Sequence, residues 1–169
     1  MSGKMPVVYW DTNVLLAYCK QEKKHGEDIL SAIDEIVQEI ESKVIHLATS
    51  TLSLAELVRG KPNNDQIQII NSVFLRTNTH LIDTNQIIAE LAGDIYCKIG
   101  SNSKTKLTIP DCIHLASALY FKCEVFYTLD GINGKPDGIL TYANLLKTVY
   151  GITISKPSIV GTLPLKFES

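Results

Sequence analysis

The chain has 169 residues, 45% of them hydrophobic, which suits one compact domain with a buried core. Its 16 Lys and Arg against 18 Asp and Glu leave a net charge of −2, which excludes a generic polyanion binder and confines any nucleic-acid contact to a local basic patch. Cys19, Cys97, Cys112 and Cys123 show no Cys-x-x-Cys spacing, so zinc-ribbon and thioredoxin-type sites are excluded and the four read as reduced, half-buried thiols.

In chain order, the apolar run Pro6 to Trp10 is too short for a helix and reads as a buried strand. A short helix follows from about Asn13 to Lys20. From Glu27 to Ser42 the residues Ile29, Leu30, Ile33, Ile36, Val37 and Ile40 form one stripe of an amphipathic helix. A second strand is expected over Val44 to Ala48, then a helix from Thr51 to Arg59 ended by Gly60 and Pro62. Asp65 to Leu75 reads as a helix, Leu81-Ile82 as a short strand, and Asn85 to Ile99 as a helix. The polar stretch Gly100 to Lys106 reads as a loop. A helix from Pro110, a strand from Val125 to Leu129, a turn-rich segment from Gly131 to Gly138, a helix from Thr141 to Tyr150 and a strand at Ile152 to Ile154 complete the chain. Residues 1–169 are expected to form a single domain, with its core at about 6–154 and a C-terminal extension at 155–169. No apolar run approaches the ~20 residues that cross a bilayer. The first residues also lack the apolar segment of a secretory signal, so the expected compartment is the cytoplasm, away from any membrane.

Strands alternating with helices imply an α/β fold with a parallel sheet flanked by helices. Ligands then sit outside the carboxyl ends of the strands, near a switch in strand order. Asp11 and Asp130 both end apolar runs, which places them there. Two further acids lie on helix-like segments, Glu56 in Thr51 to Leu57 and Asp111 at the start of Pro110 to Leu119.

Each acid has a structural reading of its own. Asp11 can cap the following helix, Thr108-x-x-Asp111 and Ser53-x-x-Glu56 fit capping boxes, and Asp130-Gly131 is a turn pair. Asp83-Thr84-Asn85 repeats the Asp-Thr-Asn triplet, and Asp83-x-x-Gln86 reads as a helix cap, so Asp83 is assigned a structural role. Taken jointly, the four acids point elsewhere. Two carboxylates ~4 Å apart repel by about 4 kcal/mol at an effective dielectric near 20. A pocket of them calls for a hard divalent cation such as Mg²⁺ or Mn²⁺. His25, His46, His80 and His114 have no zinc-ligand spacing. His114, three residues after Asp111, reads as a partly buried helix histidine.

With these acids placed, the chain resembles the PIN-domain family, whose toxin members are ribonucleases. The resemblance rests on Asp11-Thr12-Asn13 after the first strand, Glu56 in a helix after the second, Asp111-Cys112-Ile113-His114-Leu115-Ala116 opening a later helix, and Thr128-Leu129-Asp130 at a strand end. It implies a three-layer α/β/α sandwich around a parallel sheet of four to five strands. It implies Asp11, Glu56 and Asp111 as metal ligands, with Asp130 a fourth acid acting directly or through water, and Asn13 and Thr128 orienting them by hydrogen bonds. It further implies a metal-dependent endoribonuclease that hydrolyses RNA with a water activated by Mg²⁺ or Mn²⁺, leaving a 5′-phosphate and a 3′-hydroxyl. Such a toxin is held silent by a small antitoxin protein and forms a homodimer. Arg59, Lys61, Lys98, Lys104 and Lys106 are the candidate phosphate contacts, being the basic residues nearest the acidic elements in sequence. In one departure from the family pattern, Gly131-Ile132-Asn133-Gly134 stands where a phenylalanine usually follows the last acid.

Two other classes compete with this reading. A catalytically silent PIN-like binding module would have no need to collect four acids. A phosphotransferase with Asp11 as nucleophile would want a second Asp two residues on, where Asn13 stands.

Overall fold

The computed structural model describes residues 5–100, 107–132 and 138–158. Lys104, Lys106 and most of the C-terminal extension lie outside them. Five strands form one sheet: β1 (Val7–Trp10), β2 (His46–Ser50), β3 (Thr79–Ile82), β4 (Val125–Tyr127) and β5 (Thr153–Ser155). The order is β3-β2-β1-β4-β5 and every neighbouring pair is parallel. The chain first builds outward from β1 to β3, then crosses back to lay β4 on the other side of β1. That reversal places the switch in strand order between β1 and β4, where their carboxyl ends leave a crevice.

β1 is apolar throughout because both faces of the sheet are covered. Side chains alternate along it, so Val7 and Tyr9 enter one core and Val8 and Trp10 the other. On the first face lie α5 (Gln86–Ile95), α6 (Ile109–Tyr120) and α7 (Ala143–Tyr150), contributing Ile88, Ile95, Leu115 and Leu146. On the second lie α1 (Thr12–Lys20), α2 (Glu27–Glu41), α3 (Leu52–Arg59) and α4 (Asn64–Phe74), contributing Val14, Leu15, Ile33, Ile40, Leu57 and Val73. This is the expected three-layer α/β/α sandwich, with five strands. Among the described residues no helix is long and apolar enough to cross a membrane.

Local differences from the sequence reading have identifiable causes. β2 begins two residues later than expected. Lys43 takes φ 58° and the Val44 amide still bonds to Glu39, closing α2, so Val44 is exposed and the strand starts only at His46. The expected helix to Ile99 is α-helical only to Ile95, then widens into a π-helical turn over Tyr96–Gly100. Asn85 caps α5 by accepting from the Ile88 amide, so Asp83 is not the cap. Ser53 does not cap α3 either: it sits inside the helix and is fully buried. A 3₁₀ turn (Ile139–Tyr142) precedes α7. Of the cysteines, Cys19, Cys112 and Cys123 are buried and Cys97 is exposed, in place of four half-buried thiols.

Candidate active site

Asp11 leaves β1 in extended conformation and begins α1, its Oδ1 accepting from the Thr12 amide at 2.7 Å. Its other oxygen, Oδ2, accepts from Asn13 Nδ2 at 2.7 Å and from the Thr128 hydroxyl at 2.8 Å. Asn13 reaches across the switch point as well, its Oδ1 accepting from the Leu129 amide at 2.8 Å. The carboxylate is therefore oriented from both strand ends and only 6% exposed. Burial drives its pKa up, with the charge of Asp111 adding to the rise, against the opposing pull of His114 and Thr128. A carboxylate buried against a second acid is a group whose ionised form asks for a cation.

α3 carries Glu56 to the same crevice. Its Oε2 accepts from Thr12 Oγ1 at 2.5 Å and lies 2.8 Å from His114 Nε2. Burial acts to raise the Glu56 pKa, but the hydrogen bonds from His114 and Thr12 outweigh it and hold the carboxyl low. His114 projects from α6 and is 1% exposed. Burial acts to discharge the imidazole, yet the Glu56 hydrogen bond and the charges of Asp11, Glu56 and Asp111 raise its pKa overall. Asp11, Glu56 and His114 each offer a ligand atom, all within 4.8 Å of one another. His114 is thus fully buried at the centre of the site, not a partly buried histidine apart from it. Two carboxylates and an imidazole converge there. The signal in the sequence was its spacing, three residues after Asp111 on one helix.

Asp111 and Asp130 line the same cavity of about 410 Å³ without joining that triplet. Asp111 Oδ2 is engaged with its own helix start, accepting from the Thr108 amide at 2.8 Å and the Thr108 hydroxyl at 2.6 Å. Asp111 thus completes a capping box and also lines the cavity. Asp130 Oδ2 accepts from the Ile139 amide at 3.0 Å, and its own amide donates to Thr128 Oγ1 at 3.0 Å. The chain beyond it is held by two glycines in place of the missing phenylalanine. Gly131 has φ 90°, and a Cβ on Gly138 would lie 2.3 Å from Gly131 Cα, so only glycines allow this approach.

Arg59 and Gly60, at the end of α3, line the cavity with Leu16 of α1. Lys20, with no sequence signal linking it to the acids, donates to the Gly60 carbonyl at 2.6 Å and so stands at the same rim. Lys61 is exposed and does not line the cavity. Lys98 pairs with Asp94 at 2.9 Å beside the Tyr150 ring, on the α5 side of the sheet.

A parallel sheet with acids converging at its switch point defines an α/β protein with a carboxylate-lined crevice whose Asp11, Glu56 and His114 could hold a metal ion. The PIN domain family model matches residues 8–132, and the chain belongs to that family. Among curated proteins, none matches the sequence. Solved structures similar in fold include the following three. VapBC2 from Rickettsia felis, bound to a DNA fragment from its promoter, is 17% identical with a TM-score of 0.59 over 89% of this chain and 98% of that one. VapC20 from Mycobacterium tuberculosis, a sarcin-ricin loop cleaving toxin, is 15% identical with a TM-score of 0.54 over 73% and 90%. FitAcB from Neisseria gonorrhoeae is 14% identical with a TM-score of 0.51 over 89% and 97%.

Proposed function

We propose that this protein is a metal-dependent endoribonuclease and the toxin of a toxin–antitoxin pair. The observation that carries the reading is the buried Asp11 carboxylate, oriented by Asn13 and Thr128 and facing Glu56, Asp111 and Asp130 across an open cavity. Membership of the PIN domain family supports a nuclease, and the fold shared with a sarcin-ricin loop cleaving toxin supports RNA as substrate. The donor set fits Mg²⁺ or Mn²⁺, because both are hard ions that prefer carboxylate oxygen.

Bound by Asp11 and Glu56 with Asp111 and Asp130 nearby, such an ion would acidify water and stabilise charge on a phosphodiester. The chain's own residues supply orientation and charge. Asn13 and Thr128 fix the Asp11 carboxylate before substrate arrives, which lowers the reorganisation needed during reaction. Arg59, which lines the cavity, would take an RNA phosphate, with Lys20 at the same rim. Leu16, beside Gly60, supplies an apolar side of the cavity against which a ribose would rest. Catalysis follows from positioning and charge stabilisation, without a covalent enzyme intermediate.

A small antitoxin protein would silence the enzyme by covering the crevice and presenting a basic side chain to its acids. Exposed Leu54 and Val58 on α3 and Ile67 on α4 offer apolar surface for that partner or for a second copy in a homodimer. The deciding experiment incubates the purified protein with a mixed RNA pool and Mn²⁺ or Mg²⁺, alongside Asp111→Asn. Cation-dependent cleavage lost in the variant is the expected result. Equal cleavage by both proteins overturns the assignment of the site.

A further inference from the structure

We propose that His114 is a positioning residue: braced by Tyr9, it holds Glu56 through Oε2, leaving Oε1 as the oxygen offered to the divalent cation. This inference rests on the metal-dependent reading above and assigns an internal division of labour to the same site.

The brace begins in β1. The Tyr9 ring stacks on Phe126 of β4, with centroids 4.9 Å apart and planes within 9°. Its hydroxyl lies 2.7 Å from His114 Nδ1. Tyr9 and Phe126 are 0% exposed and His114 is 1%, so water does not compete for these contacts. At the opposite ring nitrogen, Nε2 faces Glu56 Oε2 at 2.8 Å and Asp11 Oδ1 at 3.9 Å. Ionised carboxylates only accept hydrogen bonds, so Nε2 carries a proton. That holds whichever way the proton lies between Tyr9 and Nδ1.

Glu56 Oε2 then receives two donors, His114 Nε2–H and the Thr12 hydroxyl. A carboxylate oxygen has about two acceptor sites, so two donors match its capacity. Oε1 is left for a ligand. Glu56 has three side-chain torsions and stands on a helix whose neighbours Leu54, Ala55 and Val58 are exposed, so local packing confines it little. Two fasteners on one oxygen set the direction of the other, the role that outer partners of metal-ligating carboxylates play.

The test compares Mn²⁺ binding by wild type, His114→Leu, His114→Gln and Tyr9→Phe, using the electron paramagnetic resonance signal of free Mn²⁺. Nitrogen hyperfine coupling is recorded on the bound ion. His114→Leu is expected to weaken Mn²⁺ by about 10- to 100-fold. His114→Gln, whose amide can donate to Glu56, recovers most of that loss, and Tyr9→Phe shows a smaller one. Bound Mn²⁺ in wild type shows no nitrogen coupling. Should His114→Leu fail to fold, His114→Gln and Tyr9→Phe carry the comparison. Nitrogen coupling that disappears in His114→Gln makes His114 a ligand and overturns the proposal. Wild-type affinity in a folded His114→Leu, or a loss in His114→Gln as deep as in His114→Leu, overturns it too. If wild type itself binds no Mn²⁺, the metal-dependent reading falls and this inference falls with it.

Discussion

The Thr128 hydroxyl donates to Asp11 Oδ2 at 2.8 Å, joining the carboxyl ends of β4 and β1 across 117 residues of sequence. The Thr128 hydroxyl oxygen itself accepts from the Asp130 amide at 3.0 Å and from Asn13 Nδ2 at 3.1 Å. One hydroxyl thus ties together three of the residues on which the site depends.

Replacing Thr128 with valine keeps the shape and removes these bonds. The Asp130 amide loses its acceptor and Asp11 Oδ2 keeps only Asn13. Leaving buried polar groups unsatisfied costs about 1–3 kcal/mol. We expect a loss of that size in urea unfolding, together with Mn²⁺ affinity lower by about 10- to 100-fold. Unchanged Mn²⁺ affinity in the folded variant would show that the hydroxyl does not orient Asp11 for the cation.

Asp111 serves a helix start and a pocket at once, and two substitutions separate the roles. Asp111→Asn keeps an oxygen for the Thr108 amide and hydroxyl while removing the charge. Asp111→Ala removes both. RNA cleavage is expected to vanish in each. Thermal or urea unfolding should show only the alanine variant losing the bonds that Asp111 returns to Thr108, worth about 1 kcal/mol. Equal stability of the two would mean that the cap contributes nothing measurable.

Arg59 lines the cavity, whereas Lys98 is occupied with Asp94 on another side of the sheet. Arg59→Ala should weaken RNA binding and lower the slope of log affinity against log salt by about one. Lys98→Ala should leave both unchanged. The check is a fluorescence titration with a labelled RNA at several salt concentrations. The reverse result would move the RNA path from α3 to α5.

At the opposite end of β2 and β3, His46 Nδ1 and His80 Nε2 lie 2.7 Å apart with their rings stacked. Burial, and then the charge of His46, hold His80 below the usual histidine pKa. The unfolded chain takes up that proton from about pH 6.5 downward, while the folded chain resists it until lower pH. The unfolded state therefore binds more protons in this window, and stability falls as pH drops through it. His80→Gln should flatten that fall in urea unfolding followed against pH. A slope unchanged by the substitution would assign the proton to another group.

Much of the site was legible because its acids are spaced along the chain in a way that strands and helices translate directly. Asp11 and Asp130 end apolar runs, so a parallel sheet had to bring them to one edge. The resemblance to the PIN-domain family rested on those same residues. His114 was harder to place. A histidine on a helix reads the same whether it meets solvent, core or an acid from another element. Its partners Tyr9 and Glu56 are 105 and 58 residues away. The shifted start of β2 was hidden for a related reason. Val44 is apolar, and only the turn at Lys43 that closes α2 keeps it out of the strand.

The sequence by itself determined the fold class, the alternation of elements and the identity of the acids, because burial periodicity and strand ends are local properties. The tertiary structure alone decided which oxygen of each acid is already bonded, and to what. It paired Glu56 with an imidazole and tied Asp11 to Thr128. It also left Asp111 and Asp130 at the rim. Those outcomes depend on distances between segments far apart in the chain, which no local pattern encodes.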